Sequence, residues 1–269
     1  MTDCPSPLFF FDLCRMLSKN KIKLLRGLQR KKERKISNFY IVEGPKLVAE
    51  ILSSGQDWQE IYATECWFKA NPFLTDDNRL VLVNEKDLAQ ISSLISPNEV
   101  LMVLKKDAVQ DFSFIISEPL VLALDGISDP GNLGTIIRTA DWFGVGHILC
   151  SFDTVDQYNP KVIQSAMGSI QRVQLHYGNL IEMVSKFESH SILACDLSGT
   201  SIHEFDFKEP SVLVVGSESH GISDSVSTIV QKNITIPSFS SSAINSLNAS
   251  VATGIVLSTI KGRINFKKT

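Results

Sequence analysis

The stretch that decides the fold is Leu120-Val121-Leu122-Ala123-Leu124-Asp125-Gly126-Ile127-Ser128-Asp129-Pro130-Gly131-Asn132-Leu133-Gly134. Its first five residues are all apolar, which is typical of a strand buried on both faces of a parallel sheet. The Gly, Pro and Asp residues that follow predict a tight loop whose main-chain amides are free to meet a ligand. Asn132 is a suitable N-cap for a helix over residues 133–143. This order predicts a ligand site at the carboxyl end of the strand.

Strands and helices continue to alternate along the rest of the chain. Apolar runs predict strands over residues 120–124, 147–150, 192–195, 211–215 and 233–236. Helices are predicted over residues 133–143, 160–169, 179–188 and 246–260. Apolar strands that alternate with helices indicate a parallel sheet that is covered on both faces. We therefore predict an α/β domain over residues 120–269.

The first part of the chain predicts a smaller α/β domain, over residues 18–106. Ile22, Leu25 and Leu28 lie at helical spacing and predict a basic amphipathic helix over residues 18–28. Strands with mixed pairing are predicted at 39–42, 60–63, 80–83 and 100–104, with helices from Pro45 to Gly55 and over 85–94. Residues 1–17 form an N-terminal extension, in which Met16 is an alternative start to Met1, and residues 107–119 form a linker.

Composition excludes several classes of protein. With 43% apolar and 20% charged residues, the chain has the balance of a globular protein rather than a disordered or fibrous one. The five cysteines share no metal-ligand spacing, so we expect no bound metal. No apolar run approaches the ~20 residues of a membrane helix, and the apolar patch at 8–13 lacks the basic segment of a signal peptide. We expect a soluble, cytoplasmic protein that does not contact membranes.

Positive charge is concentrated in one short segment, although the net charge of the chain is −3. Localised basic patches on a mildly acidic protein can contact nucleic-acid phosphates. A solvated helix face is the alternative, and the charge pattern alone does not separate the two. The predicted RNA-binding residues are Lys19, Lys21, Lys23, Arg26, Arg30, Lys31, Lys32, Arg34 and Lys35.

Two further segments place polar residues directly after predicted strands. In Gly216-Ser217-Glu218-Ser219-His220-Gly221, the Glu218 carboxylate and main-chain groups can hold a ligand. The last segment has Ile236-Pro237 at a strand end, a serine-rich loop, and Ser246-Leu247-Asn248 at a helix start. Ser246 and Asn248 are helix-capping residue types, and a helix N-terminus can hold a ligand. Taken singly, each segment also fits an ordinary strand-to-helix connection.

Taken together, the three segments resemble the motifs of the SpoU/TrmH branch of the SPOUT methyltransferases. The first motif, D-P-x-N-x-G with a downstream arginine, is matched from Asp129 to Arg138. The second, G-x-E-x-x-G, and the third, isoleucine-proline followed by serine-leucine-asparagine, are matched by the two segments just described. The resemblance covers residues 120–261. Residues 39–52 are also similar to the substrate-binding domain often joined to such enzymes, which resembles small RNA-binding ribosomal-protein folds.

The resemblance implies a fold, a cofactor and partners. The family fold is a parallel sheet whose C-terminal segment forms a trefoil knot, and its members are usually homodimers through this domain. The implied reaction is methyl transfer from S-adenosylmethionine to a ribose 2′-hydroxyl of ribosomal or transfer RNA. The implied cofactor contacts are Gly216, Ser217, Glu218, Ile236 and Leu247. The implied catalytic residues are Arg138, Asn132, Glu218, Ser246 and Asn248.

Arg138 is at the position of the family's functional arginine. A guanidinium keeps its proton at neutral pH and is a poor base. We therefore expect Arg138 to clamp the RNA phosphate and to stabilise negative charge on the attacking oxygen. Asn132 is expected to orient Arg138 or the RNA backbone, and Glu218 to order the cofactor loop. Ser246 and Asn248 are expected to line the acceptor side.

One loop departs from the family pattern, and two other functions remain open. The Ser238–Asn245 loop is longer than usual and lacks the glycine that follows the proline in the family, so its path over the cofactor is not predicted. A SPOUT enzyme that methylates a base nitrogen would have the same fold and cofactor. A non-catalytic RNA-binding homologue would have the same fold and would have lost the methyl-transfer activity.

Overall fold

The computed structural model describes residues 16–74, 77–107, 113–208, 210–240 and 246–267. The chain divides into two compact units. The N-terminal unit extends to Ala108 and includes Tyr158–Pro160, and the C-terminal unit comprises Val109–Gln157 and the chain from Lys161. Most of the predicted N-terminal extension, the middle of the predicted linker and residues 241–245 of the serine-rich loop lie outside the described residues.

The N-terminal unit is a four-stranded sheet with helices. Strand order is β1-β4-β2-β3, where β4 is antiparallel to β1 and β2 while β2 and β3 are parallel, which is the mixed pairing that the sequence predicts. Leu25 and Leu28 are buried in its core, as their helical spacing predicts. The elements are α1 Lys19–Gly27, α2 Lys31–Ser37, β1 Phe39–Glu43, α3 Pro45–Ser54, β2 Glu60–Ala63, α4 Glu65–Ala70, β3 Leu80–Leu82, α5 Glu85–Ile91 and β4 Val100–Lys105.

Two helices of this unit are absent from the sequence prediction. The seven residues of α2 are mostly charged, so they carry no apolar periodicity. The six-residue α4 starts at an N-cap, Thr64, whose hydroxyl accepts from the Trp67 amide at 3.5 Å. Trp67 is buried, and tertiary packing of this kind stabilises helices that are too short to form alone.

The C-terminal unit contains a six-stranded sheet in the order β10-β8-β9-β5-β6-β7. Every adjacent pair is parallel, which confirms the predicted parallel sheet. The elements are β5 Leu120–Asp125, α6 Pro130–Trp142, β6 His147–Ser151, α7 Pro160–Ala166, β7 Gln174–Gly178, α8 Leu180–Val184, β8 Ser191–Ser201, β9 Ser211–Gly216, α9 Asp224–Ser227, β10 Lys232–Thr235 and α10 Ala249–Lys267.

The central strand β5 explains why its sequence is apolar throughout. Leu122 and Leu124 pack into the core on one face of the sheet, together with residues of α6 and α10. Val121 and Ala123 pack into a second core on the opposite face, together with residues of α8. Because successive side chains of a strand point to opposite faces, both sets must be apolar.

Several predictions for this unit differ from the structure: the helix predicted over 179–188 is confined to Leu180–Val184, and α9 was not predicted. Strand β7 was not predicted, since it is a short edge strand in which only His176 is buried. The helix predicted over 160–169 ends at Ala166 because Met167 has a φ of +52° and starts a 3-10 turn, Met167–Gln171. Strand β8 continues past the predicted end to Ser201, and its later residues are exposed. Across the described residues, no helix has both the length and the apolar character needed to cross a membrane.

Candidate active site

The Glu218 carboxylate joins the three segments that the sequence singles out. Its Oε1 accepts a hydrogen bond from Asn132 Nδ2 at 3.0 Å and another from the main-chain amide of Ala249 at 3.0 Å. It also accepts from Asn248 Nδ2, which donates in addition to Asn132 Oδ1 at 2.9 Å. Residues that are far apart in the sequence therefore form one hydrogen-bonded group, which we call the motif cluster (Asn132, Glu218, Asn248).

The sheet brings the first two segments together. Strands β5 and β9 are adjacent and parallel, and Asp125 is paired with Gly216, so both chains leave the sheet at the same edge. Asp125 Oδ2 also accepts from the main-chain amide of Ser223 at 2.7 Å, which ties the loop after β9 to the end of β5. Both loops therefore lie beyond the carboxyl ends of the strands, where parallel sheets bind ligands.

The prediction that Asn132 caps α6 is wrong. The N-cap is Asp129, whose carboxylate accepts from the Asn132 amide at 2.8 Å, with Pro130 in the first helical position. A proline is well suited to that position because its missing N–H needs no acceptor there. Asn132 lies inside the first turn, so its side chain is available to Glu218 and Asn248.

Asn248 is the residue that caps α10. Its Oδ1 accepts from the Ser250 amide at 3.0 Å, the Ser250 hydroxyl at 2.6 Å and the Val251 amide at 3.3 Å. The helix begins at Ala249, three residues later than predicted, and Ser246 and Leu247 are exposed in the segment before it. One asparagine thus caps the helix through its oxygen and joins the motif cluster through its nitrogen.

Gly216 and Gly221 shape the turn that carries Glu218. The Ser217 amide donates to the Gly221 carbonyl at 3.0 Å and the Gly221 amide to the Ser217 carbonyl at 2.9 Å. A Cβ atom at Gly216 would lie 2.2 Å from the Gly221 carbonyl carbon, and Gly221 has a φ of +67°. Both positions therefore need glycine for the turn itself.

Arg138 is exposed on α6, and the structure does not pair it with Asn132. Its Nη1 lies 3.7 Å from the Sδ atom of Met167. The side chain of Asn132 instead contacts Glu218 and Asn248. An orienting contact from Asn132 to Arg138 is therefore not seen in the described part of the chain.

The remaining predicted cofactor residues lie around the ends of β10 and α10. Ile236 follows β10 and is half-buried against the core, and Leu247 is 45% exposed just before α10. Ser217 is half-buried at the end of β9. The predicted cofactor residues thus offer main-chain groups, apolar side chains and the carboxylate of Glu218.

A second candidate surface lies on α1, in the N-terminal unit. Lys19, Lys23, Arg26 and Arg30 are exposed and line a hollow of about 440 Å³. The spacing of Lys19, Lys23 and Arg26 puts these three on one face of α1, and Arg30 lies beyond the helix, as the N-cap residue of α2. Lys31, Lys32 and Lys35 are exposed on α2, in the next segment of the chain.

Two residues of the predicted RNA-binding set have structural contacts instead. Arg34 is 2% exposed, and its Nη1 donates to the Leu28 carbonyl at 2.9 Å and the Gln29 carbonyl at 2.8 Å. Its guanidinium therefore fastens the α1–α2 turn, and we remove Arg34 from the set. Lys21 lies 2.7 Å from the Glu60 carboxylate, so its charge is already partly balanced.

Each of the two units matches the model of a known protein family. Residues 119–258 match the model of the SpoU rRNA methylase family, and residues 19–102 match the MRM3-like substrate binding domain. A tRNA/rRNA methyltransferase of Synechocystis sp., itself uncharacterized, is 32% identical over 251 residues, which are 88% of each chain. The 23S rRNA (guanosine(2553)-2'-O)-methyltransferase RlmP of Bacillus subtilis is 26% identical over 90% of this chain and 96% of its own length.

Solved structures agree with these matches. A TrmH-family protein from Porphyromonas gingivalis superposes with a TM-score of 0.82 at 34% identity, covering 93% of this chain and 100% of its own. The AdoMet-bound rRNA methyltransferase of Sinorhizobium meliloti superposes with a TM-score of 0.81 at 26% identity, covering 93% and 97%. The matched family model spans more than half of the sequence and all three segments of the site. The chain belongs to the SpoU rRNA methylase family.

Proposed function

We propose that this protein transfers a methyl group from S-adenosylmethionine to the 2′-hydroxyl of a ribose in ribosomal RNA. The observation that carries the proposal is the motif cluster, in which Glu218 holds Asn132 of the first segment and Asn248 of the third. The relative from Bacillus subtilis, whose name specifies 2′-O-methylation of 23S rRNA, supports the choice of a ribose acceptor.

The residues at the strand ends fit S-adenosylmethionine. Main-chain groups near Gly216 and Ser217, with the apolar side chains of Ile236 and Leu247, suit an adenine ring, and the Glu218 carboxylate suits polar or positively charged groups. When bound, the cofactor would supply an electrophilic methyl group on a sulfonium: the sulfur–methyl bond would break as the oxygen–methyl bond forms, S-adenosylhomocysteine would leave, and the hydroxyl proton would be lost to the surrounding water. The task of the protein is then to align the acceptor oxygen and to exclude water.

Arg138 acts on the RNA. Its protonated guanidinium binds the phosphate beside the target ribose and stabilises the negative charge that develops on the attacking oxygen. The motif cluster holds the loops of the site in place, a role that replaces the expected contact between Asn132 and Arg138. Ser246, exposed two residues before Asn248, lines the acceptor side.

The basic surface of α1 holds the RNA outside the site. Lys19, Lys23, Arg26 and Arg30 contact phosphates, with Lys31, Lys32 and Lys35 extending the positive surface. The match of this unit to a substrate binding domain supports that role.

The organisation of the protein follows from the same proposal. An RNA-binding domain over residues 18–106 is joined by a linker, 107–119, to a methyltransferase domain over 120–269, and the matched ranges 19–102 and 119–258 support these boundaries. The methyltransferase domain contains a trefoil knot and forms a homodimer. The protein acts in the cytoplasm, as a modifier of ribosomal RNA.

Mapping of 2′-O-methyl groups tests the proposal. Total RNA from cells with and without the protein is compared at nucleotide resolution. We expect one ribose in ribosomal RNA to lose its methyl group in the deletion strain and to regain it on complementation. Loss of a methyl group from transfer RNA, or from a base, would reassign the substrate.

A further inference from the structure

The segment after α7 places a strained residue beside Arg138. Met167 has a φ of +52°, a left-handed conformation that residues with a side chain seldom adopt. Its side chain is 47% exposed, and its Sδ atom lies 3.7 Å from Nη1 of Arg138. Strained backbone of this kind persists only where the surrounding structure imposes it, and it occurs often at functional sites.

Close packing between α6 and α7 fixes the backbone that precedes Met167. A Cβ atom at Gly134 of α6 would lie 2.4 Å from Ser165 Cβ and 2.7 Å from the Val162 carbonyl oxygen. The two helices therefore approach at a distance that only glycine permits. Ser165 precedes Met167 by two residues, so the start of the 3-10 turn has a fixed place against α6.

The Asp141 carboxylate fixes the segment that follows Met167. Asp141 Oδ2 accepts from the Ser169 hydroxyl at 2.7 Å and from Arg172 Nε and Nη2 at 2.9 and 2.8 Å. Burial opposes the ionisation of Asp141, but the hydrogen bonds from Arg172 and Ser169 outweigh it and hold the pKa of the carboxyl below its ordinary value. Asp141 lies on the same helix as Arg138, three residues later, so one helix carries both the arginine and the anchor of the turn.

We propose that Met167 is a positioning residue for Arg138, and that the turn it begins is built to hold its thioether against the guanidinium. An exposed arginine has many rotamers, and ordering one of them in advance removes that entropic cost from the reaction. The thioether is polarizable and is a weak acceptor for an N–H group. This inference rests on the proposed function of Arg138.

Substitutions that respect the backbone test the proposal. Met167→Gly and Met167→Asn both tolerate a left-handed φ, so they remove the thioether without disturbing the turn. We expect kcat for methyl transfer to in vitro transcribed ribosomal RNA to fall on the order of tenfold, equivalent to about 1.4 kcal/mol. The Kd for S-adenosylmethionine and the Tm should stay at their wild-type values. Met167→Leu keeps an apolar side chain of similar size but lacks the sulfur acceptor, so its kcat should lie between that of the wild type and that of Met167→Gly.

The Arg138 variants separate the two proposals. In an Arg138→Lys background, Met167→Gly should cause no further loss of kcat, because the contact is already removed. Wild-type kcat in Met167→Gly and Met167→Asn, together with an inactive Arg138→Ala, would overturn the role of Met167 and leave the proposed function intact. A loss of kcat that is matched by a loss of Tm would show a merely structural role and also overturn it. An active Arg138→Ala variant would instead overturn the role of Arg138 itself.

Discussion

At the scale of single residues, the site depends on one carboxylate. Glu218 is exposed, yet its Oε1 has three donors from two other segments of the chain. One of these donors is the Ala249 amide at the N-terminus of α10, where the helix dipole favours a negative charge. Asn132 and Asn248 complete the contacts by bonding to each other. Their contributions to stability should therefore not be independent.

A double-mutant cycle measures that dependence. Glu218→Ala and Asn132→Ala should each lower the free energy of unfolding, and the double variant should lose less than the sum, with a coupling energy on the order of 1 kcal/mol. Urea denaturation gives the values. Thr135→Ala provides a matched control in the next turn of α6, where the hydroxyl donates only to the Gly131 carbonyl. Additive losses for Glu218 and Asn132 would show that the two side chains are not coupled in solution.

At the scale of elements, strong apolar patterns predict the strands and helices well. They do not predict the backbone conformation of single residues. The five predicted strands of the C-terminal unit are all present, and four of them are apolar runs that the sheet buries, whereas in β10 only Ile234 is buried. The end of α7 could not be predicted, since nothing in the residue type of Met167 indicates a left-handed φ. The motif cluster could be predicted only as three separate segments. Glu218 can join these segments only because the strand order places β9 beside β5.

Helix packing in the C-terminal unit distinguishes two glycines. At Gly254 of α10 a Cβ atom would lie 3.7 Å from Thr139 Cγ2, which is an ordinary contact. The close approach is at Gly134. We expect Gly134→Ala to lower the free energy of unfolding by about 1–3 kcal/mol through overpacking, and Gly254→Ala to leave it unchanged or raise it by up to about 1 kcal/mol. Equal effects in chemical denaturation would contradict this assignment.

A histidine pair on adjacent strands makes the same unit sensitive to pH. His147 Nδ1 of β6 lies 3.3 Å from His176 Nε2 of β7. Burial, and then the neighbouring His147, lower the pKa of His176 to about 4, and burial also lowers the pKa of His147. The unfolded chain, with a histidine pKa of about 6.5, therefore binds more protons than the native protein between these values, and stability falls as pH falls through this window.

Thermal unfolding checks this pH dependence. Wild-type Tm should be lower at pH 5 than at pH 7.5, and His176→Gln should reduce the difference because it removes a titrating group. His220→Gln, on the exposed turn after β9, should keep the wild-type difference. If the Tm difference between pH 5 and pH 7.5 is unchanged in His176→Gln, the histidine pair is not its cause.

At the scale of the whole molecule, the two units differ in the features that they present. The C-terminal unit holds the motif cluster at the edge of a parallel sheet, and the N-terminal unit presents positive charge on a chain whose net charge is −3. Charge of this kind gives affinity without sequence specificity. The structure also separates the cations that face solvent on α1 from Arg34, which is buried and holds a turn.

Salt dependence of RNA binding tests the α1 surface. Lys23→Gln combined with Arg26→Gln should weaken binding and reduce the slope of log K against log salt by about 1.5, since each lost phosphate contact removes about 0.7–0.9. Lys46→Gln combined with Lys86→Gln removes two exposed cations from other helices of the unit and is the matched control. The same slope in both double variants would mean that α1 does not hold the RNA.

Nucleoside mass spectrometry is the most direct test of methyl transfer to a ribose by this protein. Unmodified ribosomal RNA is incubated with the purified protein and S-adenosylmethionine, digested to nucleosides and analysed. We expect one 2′-O-methylnucleoside with the wild-type protein and almost none with Arg138→Ala, although that variant should bind S-adenosylmethionine with unchanged affinity. A methyl group on a base, or full activity of the Arg138→Ala variant, would contradict this expectation.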